Sequence, residues 1–316
     1  MTLDRPTLFF IGVSTAQSSI MRIFPRWAKA LGLGDCAIAG LDFALHDRPE
    51  AYRAAVKAIK GDPLARGALV TTHKIDLLAA SADLLDELDP FAASQREVSC
   101  LSKRDGLLIG HAKDPVSAGL ALSAMVPAGH WAETRAAALV MGAGGATTAI
   151  TWNLTRPELG ADRPSRIVVT DILPERLEAL RRFHGNDIAI ETVLTTTAAE
   201  NDALLAQLPS GSLVVNATGL GKDRPGSPLS DAALFPRDAL VWDLNYRGDL
   251  LFLAQAEAQA GAQAGARGLR INDGWTYFLH GWTQVIAEVF AVDIPTSGPR
   301  FEELSNLAGG PPRAHP

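Results

Sequence analysis

Ala136-Ala137-Ala138-Leu139-Val140-Met141-Gly142-Ala143-Gly144-Gly145-Ala146-Thr147 is the stretch that decides the fold. Residues 135–141 have the composition of a buried strand, 142–145 make a glycine turn, and 146–154 have the spacing of a helix. Strand, glycine turn and helix in that order build the corner that holds a dinucleotide pyrophosphate. Gly142 permits the tight turn, and Gly144 lets the backbone approach a phosphate with no side chain between them. The helix N-terminus supplies unpaired N–H groups and a partial positive charge. Gly142, Ala143, Gly144, Gly145 and Ala146 are accordingly expected to bind a cofactor.

Downstream, the pattern of strand and helix continues. Residues 166–170 read as a strand, 174–183 as a helix, and 213–216 and 240–244 as strands, which predicts a doubly wound parallel sheet with crossover helices. The second strand runs into Asp171, 26 residues beyond Gly145. An acid there typically binds the adenosine ribose and repels a 2′-phosphate, so NAD is expected rather than NADP. The alternative is a cap ahead of Pro174. Residues 254–268, rich in Ala, Gln and Gly, read as a helix fraying into a surface loop. Residues 275–292 form an apolar helix, and the Pro- and Gly-rich tail beyond Pro295 is expected to be loosely ordered.

Upstream, a second α/β layer is legible. Strands are predicted at 7–13, 36–41 and 67–71, with helices at 18–31, 51–60 and 75–88. A chain of 316 residues suits two domains, since single cores stop growing at roughly 250 to 300 residues. Hydrophobic residues make up 47% and charged residues 20%, enough for packed interiors and too apolar for a disordered chain. The net charge of −6, without a basic stripe, argues against nucleic acid as a partner. Cys36 and Cys100 stand far apart with no metal-ligand companion, so reduced thiols and no metal are expected. No uncharged apolar run approaches about 18 residues, and the N-terminal run is too short for a signal-peptide core. A cytoplasmic protein that does not bind membranes is expected.

Five short motifs lie in order along the chain: Val70-Thr71-Thr72-His73-Lys74, Gly110-His111-Ala112-Lys113-Asp114, Gly142-Ala143-Gly144-Gly145-Ala146, Asn216-Ala217-Thr218-Gly219-Leu220-Gly221 and Asp243-Leu244-Asn245-Tyr246. Together they resemble the shikimate/quinate dehydrogenase family, whose members carry N-V-T-x-P-x-K, G-x-N-T-D, G-A-G-G-A, N-A-T-S-x-G and D-x-x-Y in this order. The resemblance runs from about residue 7 to residue 290. It implies an N-terminal substrate domain over 1–114, joined by the returning segment 273–316, and a Rossmann domain over 115–272. It also implies Lys74 and Asp114 as the catalytic pair in a cleft between the domains, with Asn216, Ala217, Thr218 and Gly219 beside the cofactor. The small-molecule substrate would be a shikimate- or quinate-like hydroxylated or keto acid, and the enzyme a monomer or homodimer.

Chemistry supports the pair independently. Oxidising an alcohol with a nicotinamide cofactor needs a base for the hydroxyl proton, and a lysine serves if its pKa is lowered. Asp114 alone would raise that pKa, so desolvation is expected to do the lowering.

The departures from the family matter as much. Ala68 and Val70 stand where the family has the Asn and Thr that bind substrate hydroxyls. Ala112-Lys113 replaces the Asn-Thr before the aspartate, and Glu97-Val98-Ser99-Cys100 replaces A-V-N-T. Gly281 falls near the family's substrate glutamine. Ser18, Ser19, Thr71, Ser99, Tyr246, His280 and Gln284 are the candidate substrate contacts, with His111 and Lys113 as further polar groups. The expected function is hydride transfer on a substrate other than shikimate itself. A reductive enzyme on an amino- or keto-cyclitol stays open, as does a non-catalytic ligand sensor. Retention of both Lys74 and Asp114 argues against the sensor.

Overall fold

The computed structural model describes residues 3–185, 190–222, 224–261 and 266–310. The chain forms two compact units. Unit 1 comprises the residues up to Ser117 together with Leu279–Gly310, and unit 2 is Ala118–Phe278. Both changes of unit fall within helices, Asp114–Met125 and Trp275–Phe290. Among the described residues no helix is long and apolar enough to cross a membrane.

Unit 1 is built on β1 (Thr7–Gly12), β2 (Ala37–Asp42), β3 (Ala65–Val70), β4 (Glu87–Leu88), β5 (Cys100–Arg104) and β6 (Leu107–His111), in the order β2-β1-β3-β5-β6-β4. β1 is apolar from Leu8 onward and buried at all six positions, as suits a strand covered on both faces. It pairs in parallel with β2 and β3, as the alternation of strand and helix predicts. β5 and β6 depart from that expectation. They form an antiparallel hairpin beside β3, turned at Asp105-Gly106 with φ of 53° and 83°. A two-residue turn with both residues at positive φ is the connection whose twist matches paired strands. The helix predicted over 75–88 stops at Ser81. Beyond it the backbone is drawn along β6: the Asp86 N–H donates to Leu108 O at 2.9 Å, and the Asp86 carboxylate accepts from the Leu108 N–H at 2.7 Å.

The tail of unit 1 corrects a second expectation. Pro299–Ala308 is a helix, packed against Ile20–Leu31, and Trp27 donates its indole N–H to Leu304 O at 2.7 Å. Proline at its start and glycine at its end, read as loop composition, are the ordinary boundaries of a helix.

Unit 2 contains β7 (Ala138–Met141), β8 (Ile167–Asp171), β9 (Ile190–Leu194), β10 (Leu213–Asn216), β11 (Leu240–Asp243) and β12 (Arg270–Asn272), in the order β12-β11-β10-β7-β8-β9. Every pairing in it is parallel. Alternate residues feed two cores: Ala138, Val140, Val169 and Val215 lie in one, Leu139, Met141, Val168 and Val214 in the other. Each fully buried valine or leucine contributes roughly 1.5–3 kcal/mol, so helices on both faces make this sheet the rigid base of the unit. The strand order reverses between β7 and β10, where doubly wound sheets open a crevice for ligands at the strands' carboxyl ends. Residues 262–265, within the segment read as a fraying helix, lie outside the described residues, and the helix before them is Leu251–Ala260.

Candidate active site

In unit 1 the ends of β3, β5 and β6 lie side by side. Leu69 pairs with Cys100 and Cys100 with His111, while the Val70 N–H donates to Ser99 O and the Ser99 N–H to His111 O, both at 2.9 Å. Two helices start just past these ends, Lys74–Ser81 after β3 and Asp114–Met125 after β6. Their first residues meet: the Lys74 ammonium donates to Asp114 Oδ2 in an ion pair whose side chains are 19% and 14% exposed. The sequence expectation of a Lys74/Asp114 pair thus has its geometry. The expectation of a lowered lysine pKa does not. Burial pulls the ammonium down, but Asp114 and Glu97 together hold it above its usual value.

Glu97 is the residue at this site that sequence reading left without a role. It is 3% exposed, its Oε1 has no hydrogen-bond partner, and burial pushes its carboxyl up to about 7. Lys74 works against that rise and Asp114 adds to it. The available signal was a charged residue where the family has alanine.

The remaining candidates divide. Ser99 is buried and its Oγ accepts from the Lys113 N–H at 2.7 Å, which ties the link before Asp114 to the start of β5. Thr71 donates its hydroxyl to Ile11 O at 3.1 Å, at the carboxyl ends of β1 and β3. Ser19 is buried at the N-terminus of Ile20–Leu31 without a side-chain capping bond, and Ser18 next to it is half-buried. Lys113 is closed onto Glu288 at 2.7 Å. His111 lies between Ser102, at 2.8 Å, and Asp89, at 3.5 Å. His280 is stacked on Phe301 at 4.6 Å, with its imidazole lowered to about 4 by burial, and is not brought to the lysine. Gln284 is half-buried on the same helix. Tyr246 belongs to unit 2, packed on Trp275 and Phe278. Ala68, Val70 and Ala112 are buried in the core of unit 1, with no polar side chain to offer.

In unit 2 the glycine turn joins β7 to the helix Gly145–Thr155. Gly142 has φ of 97°, and a Cβ there would lie 2.6 Å from Ala217 O, so only glycine lets the ends of β7 and β10 approach so closely. Gly144 precedes the helix with no side-chain cap, and a Cβ there would meet nothing within 4 Å. The turn therefore leaves the backbone at Gly144 uncovered, at the start of a helix whose first N–H groups have no intrahelical acceptor. Across the crevice, Asn216 Oδ1 accepts from the Thr218 N–H at 3.1 Å and its hydroxyl at 2.7 Å, while Asn216 Nδ2 donates to Asp243 Oδ1 at 3.2 Å. This network fixes the loop 216–219 at the carboxyl end of β10. Burial pushes the Asp243 carboxyl up to about 7.

Asp171, at the end of β8, turns back onto the glycine loop. Oδ2 accepts from the Ala143 N–H at 2.7 Å and Oδ1 from the Leu173 N–H at 2.9 Å, leaving its side chain 4% exposed. It braces the glycine turn. Exposed just beyond it are Ile172, Pro174, Glu175 and Arg176, whose guanidinium lies 3.9 Å from Asp171 Oδ2.

A Rossmann sheet with an open glycine turn, accompanied by a unit holding a buried lysine–aspartate pair, defines a dehydrogenase of two-unit α/β type. Comparison with known proteins narrows the class. The chain is 30% identical over 296 residues to shikimate dehydrogenase (NADP(+)) of Methylocella silvestris, covering 92% of each. It is 31% identical over 304 residues to that of Sphingopyxis alaskensis, covering 94% of each. No protein-family profile matches. Among solved structures, shikimate 5-dehydrogenase from Thermus thermophilus in complex with NADP(H) and shikimate aligns with a TM-score of 0.68 at 24% identity, over 96% of this chain and 99% of the other. Quinate dehydrogenase from Corynebacterium glutamicum in complex with NAD aligns with a TM-score of 0.69 at 20% identity, over 96% and 98%. The chain belongs to the shikimate dehydrogenase family and is an NAD(P)-dependent dehydrogenase acting on a CH–OH group. The expectation of NAD over NADP is corrected in emphasis, because the sequence relatives carry NADP in their names.

Proposed function

We propose that this chain interconverts a hydroxyl and a ketone on a small shikimate-like acid with NADP as its redox partner. The buried Lys74–Asp114 pair carries the reading, because two ionic side chains withdrawn from water are costly to a fold that does not use them. Lys74 holds the proton that passes to or from the substrate oxygen, and Asp114 fixes the direction in which the ammonium points. Ser18 and Ser19, at a helix N-terminus, suit a substrate carboxylate. Thr71 adds a hydroxyl at the carboxyl end of β3.

The residues of unit 2 fit a dinucleotide. Gly142–Ala146 and the start of Gly145–Thr155 would hold the pyrophosphate, with the loop 216–219 across the crevice. The bound nicotinamide supplies the hydride acceptor or donor. NADP is favoured because the Asp171 carboxylate is spent on the turn and so does not face a 2′-phosphate, whereas Arg176 offers it a cation.

The substrate is read as a relative of shikimate. Ala68, Val70 and Ala112 lack hydrogen-bonding side chains, Ser99 is engaged with Lys113, and Lys113 with Glu288. Each hydroxyl left without a partner costs about 1–3 kcal/mol of binding. Steady-state kinetics with NADP and NAD, on shikimate, quinate and a panel of cyclic hydroxy and keto acids, test both halves. The expected result is at least a tenfold preference for NADP, about 1.4 kcal/mol, which Arg176→Ala removes. Shikimate should fall below about 10⁴ M⁻¹s⁻¹, a common floor for native substrates. Equal use of NAD would sink the cofactor reading, and efficient shikimate turnover the altered substrate.

A further inference from the structure

We propose that Glu97 is a positioning residue, the third member of a buried Glu97–Lys74–Asp114 group, whose charge sets how tightly Lys74 holds its proton. This rests on reading Lys74 and Asp114 as the pair that moves the substrate proton.

The three residues come from three neighbouring places in one sheet. Lys74 starts the helix after β3, Glu97 lies in the link entering β5, and Asp114 starts the helix after β6. The Val98 N–H donates to Lys74 O at 3.2 Å, which pins the backbone next to Glu97 against the backbone of the lysine. Glu97 is withdrawn from solvent and its Oε1 lacks a hydrogen-bond partner. A carboxylate so placed is unfavourable on its own, and an apolar residue would serve packing better. What it has instead is charge: Lys74, on the helix after β3, and Asp114, on the helix after β6, are the charged groups that act on it. The adjoining polar groups are paired among themselves, Lys113 with Glu288 and His111 with Asp89.

The consequence is directional. With Glu97 ionised, the ammonium is stabilised by two carboxylates and keeps its proton. With Glu97 protonated, one carboxylate remains and the proton leaves more readily. Burial places the change of Glu97 near neutrality, so the two groups titrate as a coupled set.

The test needs neither substrate nor cofactor. Full-length protein is acetylated with acetic anhydride across a pH series, and modification of Lys74 is followed by mass spectrometry. In Glu97→Gln the midpoint of Lys74 reactivity should fall by about one to three pH units. Glu97→Ala, which avoids burying an amide, should shift it equally. An unchanged midpoint in either folded variant overturns the proposal. A third readout uses the unaltered protein: with carboxyl-labelled glutamate, one side-chain resonance should titrate near neutrality, and its absence also overturns the proposal. Because labelling is independent of turnover, failure with shikimate would count against the substrate reading and leave the charge coupling to be judged by the midpoint alone.

Discussion

Lys74 has the environment of a proton carrier that is kept charged, since its two carboxylate neighbours outweigh the pull of burial. If it carries the substrate proton, Lys74→Ala should lower kcat by roughly 10²–10⁴ while leaving the affinity for NADP nearly intact. Asp114→Asn should be impaired too, and the double variant should lose little more than the worse single one, because the residues act as a unit. Turnover near normal in Lys74→Ala would remove the lysine from the chemistry. At this scale the sequence was informative where a motif put a polar residue at a strand end, as with Lys74 and Asp114. It was silent on Glu97, whose meaning depends on neighbours 23 and 17 positions away. It left two uses open for Asp171, since a carboxylate at a strand end can serve a ribose or the local backbone, and in the structure its oxygens accept from the Ala143 and Leu173 N–H groups.

Among the elements, the glycine turn was readable because its constraints are local. A strand must end, the chain must reverse, and a helix must begin within four residues. Its two key glycines do different things, and substitution separates them. Gly142→Ala places a Cβ against Ala217 O at positive φ, so unit 2 should lose stability, on the order of 1–3 kcal/mol. Gly144→Ala meets open space at a φ of −86°, and thermal stability should change little. Its affinity for NADP should nevertheless fall at least tenfold, as measured by calorimetry. Unchanged affinity would mean that no phosphate approaches this backbone. The elements that escaped sequence reading are those fixed by distant partners or by signals given too little weight. Asp105-Gly106 between apolar runs is a hairpin signal of the ordinary kind. Pro299–Ala308 is amphipathic only in part and is held by Trp27 and its neighbours, far away in sequence.

Among the described residues, each unit buries one carboxyl raised to about 7, Glu97 in unit 1 and Asp243 in unit 2. In the unfolded chain both return to ordinary carboxyl values, near 4. Protons therefore bind the folded state more tightly than the unfolded one. The stability this confers is fully present below about pH 4 and is lost as pH rises through about 7, the reverse of the usual salt-bridged carboxylate. Carboxylates held below their ordinary range, such as Asp89 and Asp162, act oppositely, adding stability above about pH 4 and losing it as pH falls. Their contribution has levelled off by pH 5.5, but the buried imidazoles of His184 and His280, lowered to about 4, and of His73, also lowered, go on adding stability as pH rises through about 6.5. The two raised carboxyls therefore dominate the slope only from about pH 7 to 8.5. Thermal unfolding should therefore shift to lower temperature over that interval, by an amount corresponding to about 1 kcal/mol at most. Asp243→Asn should flatten the dependence. Its amide oxygen replaces the Oδ1 that accepts from Asn245 and Asn216, and no charge is left to be buried at high pH. Scanning calorimetry over the pH series reads the slope, and Glu97→Ala should remove a separate part of it if the two units melt as distinct transitions. A melting temperature that rises from about pH 7 to 8.5 would show that neither carboxyl is raised in the folded protein.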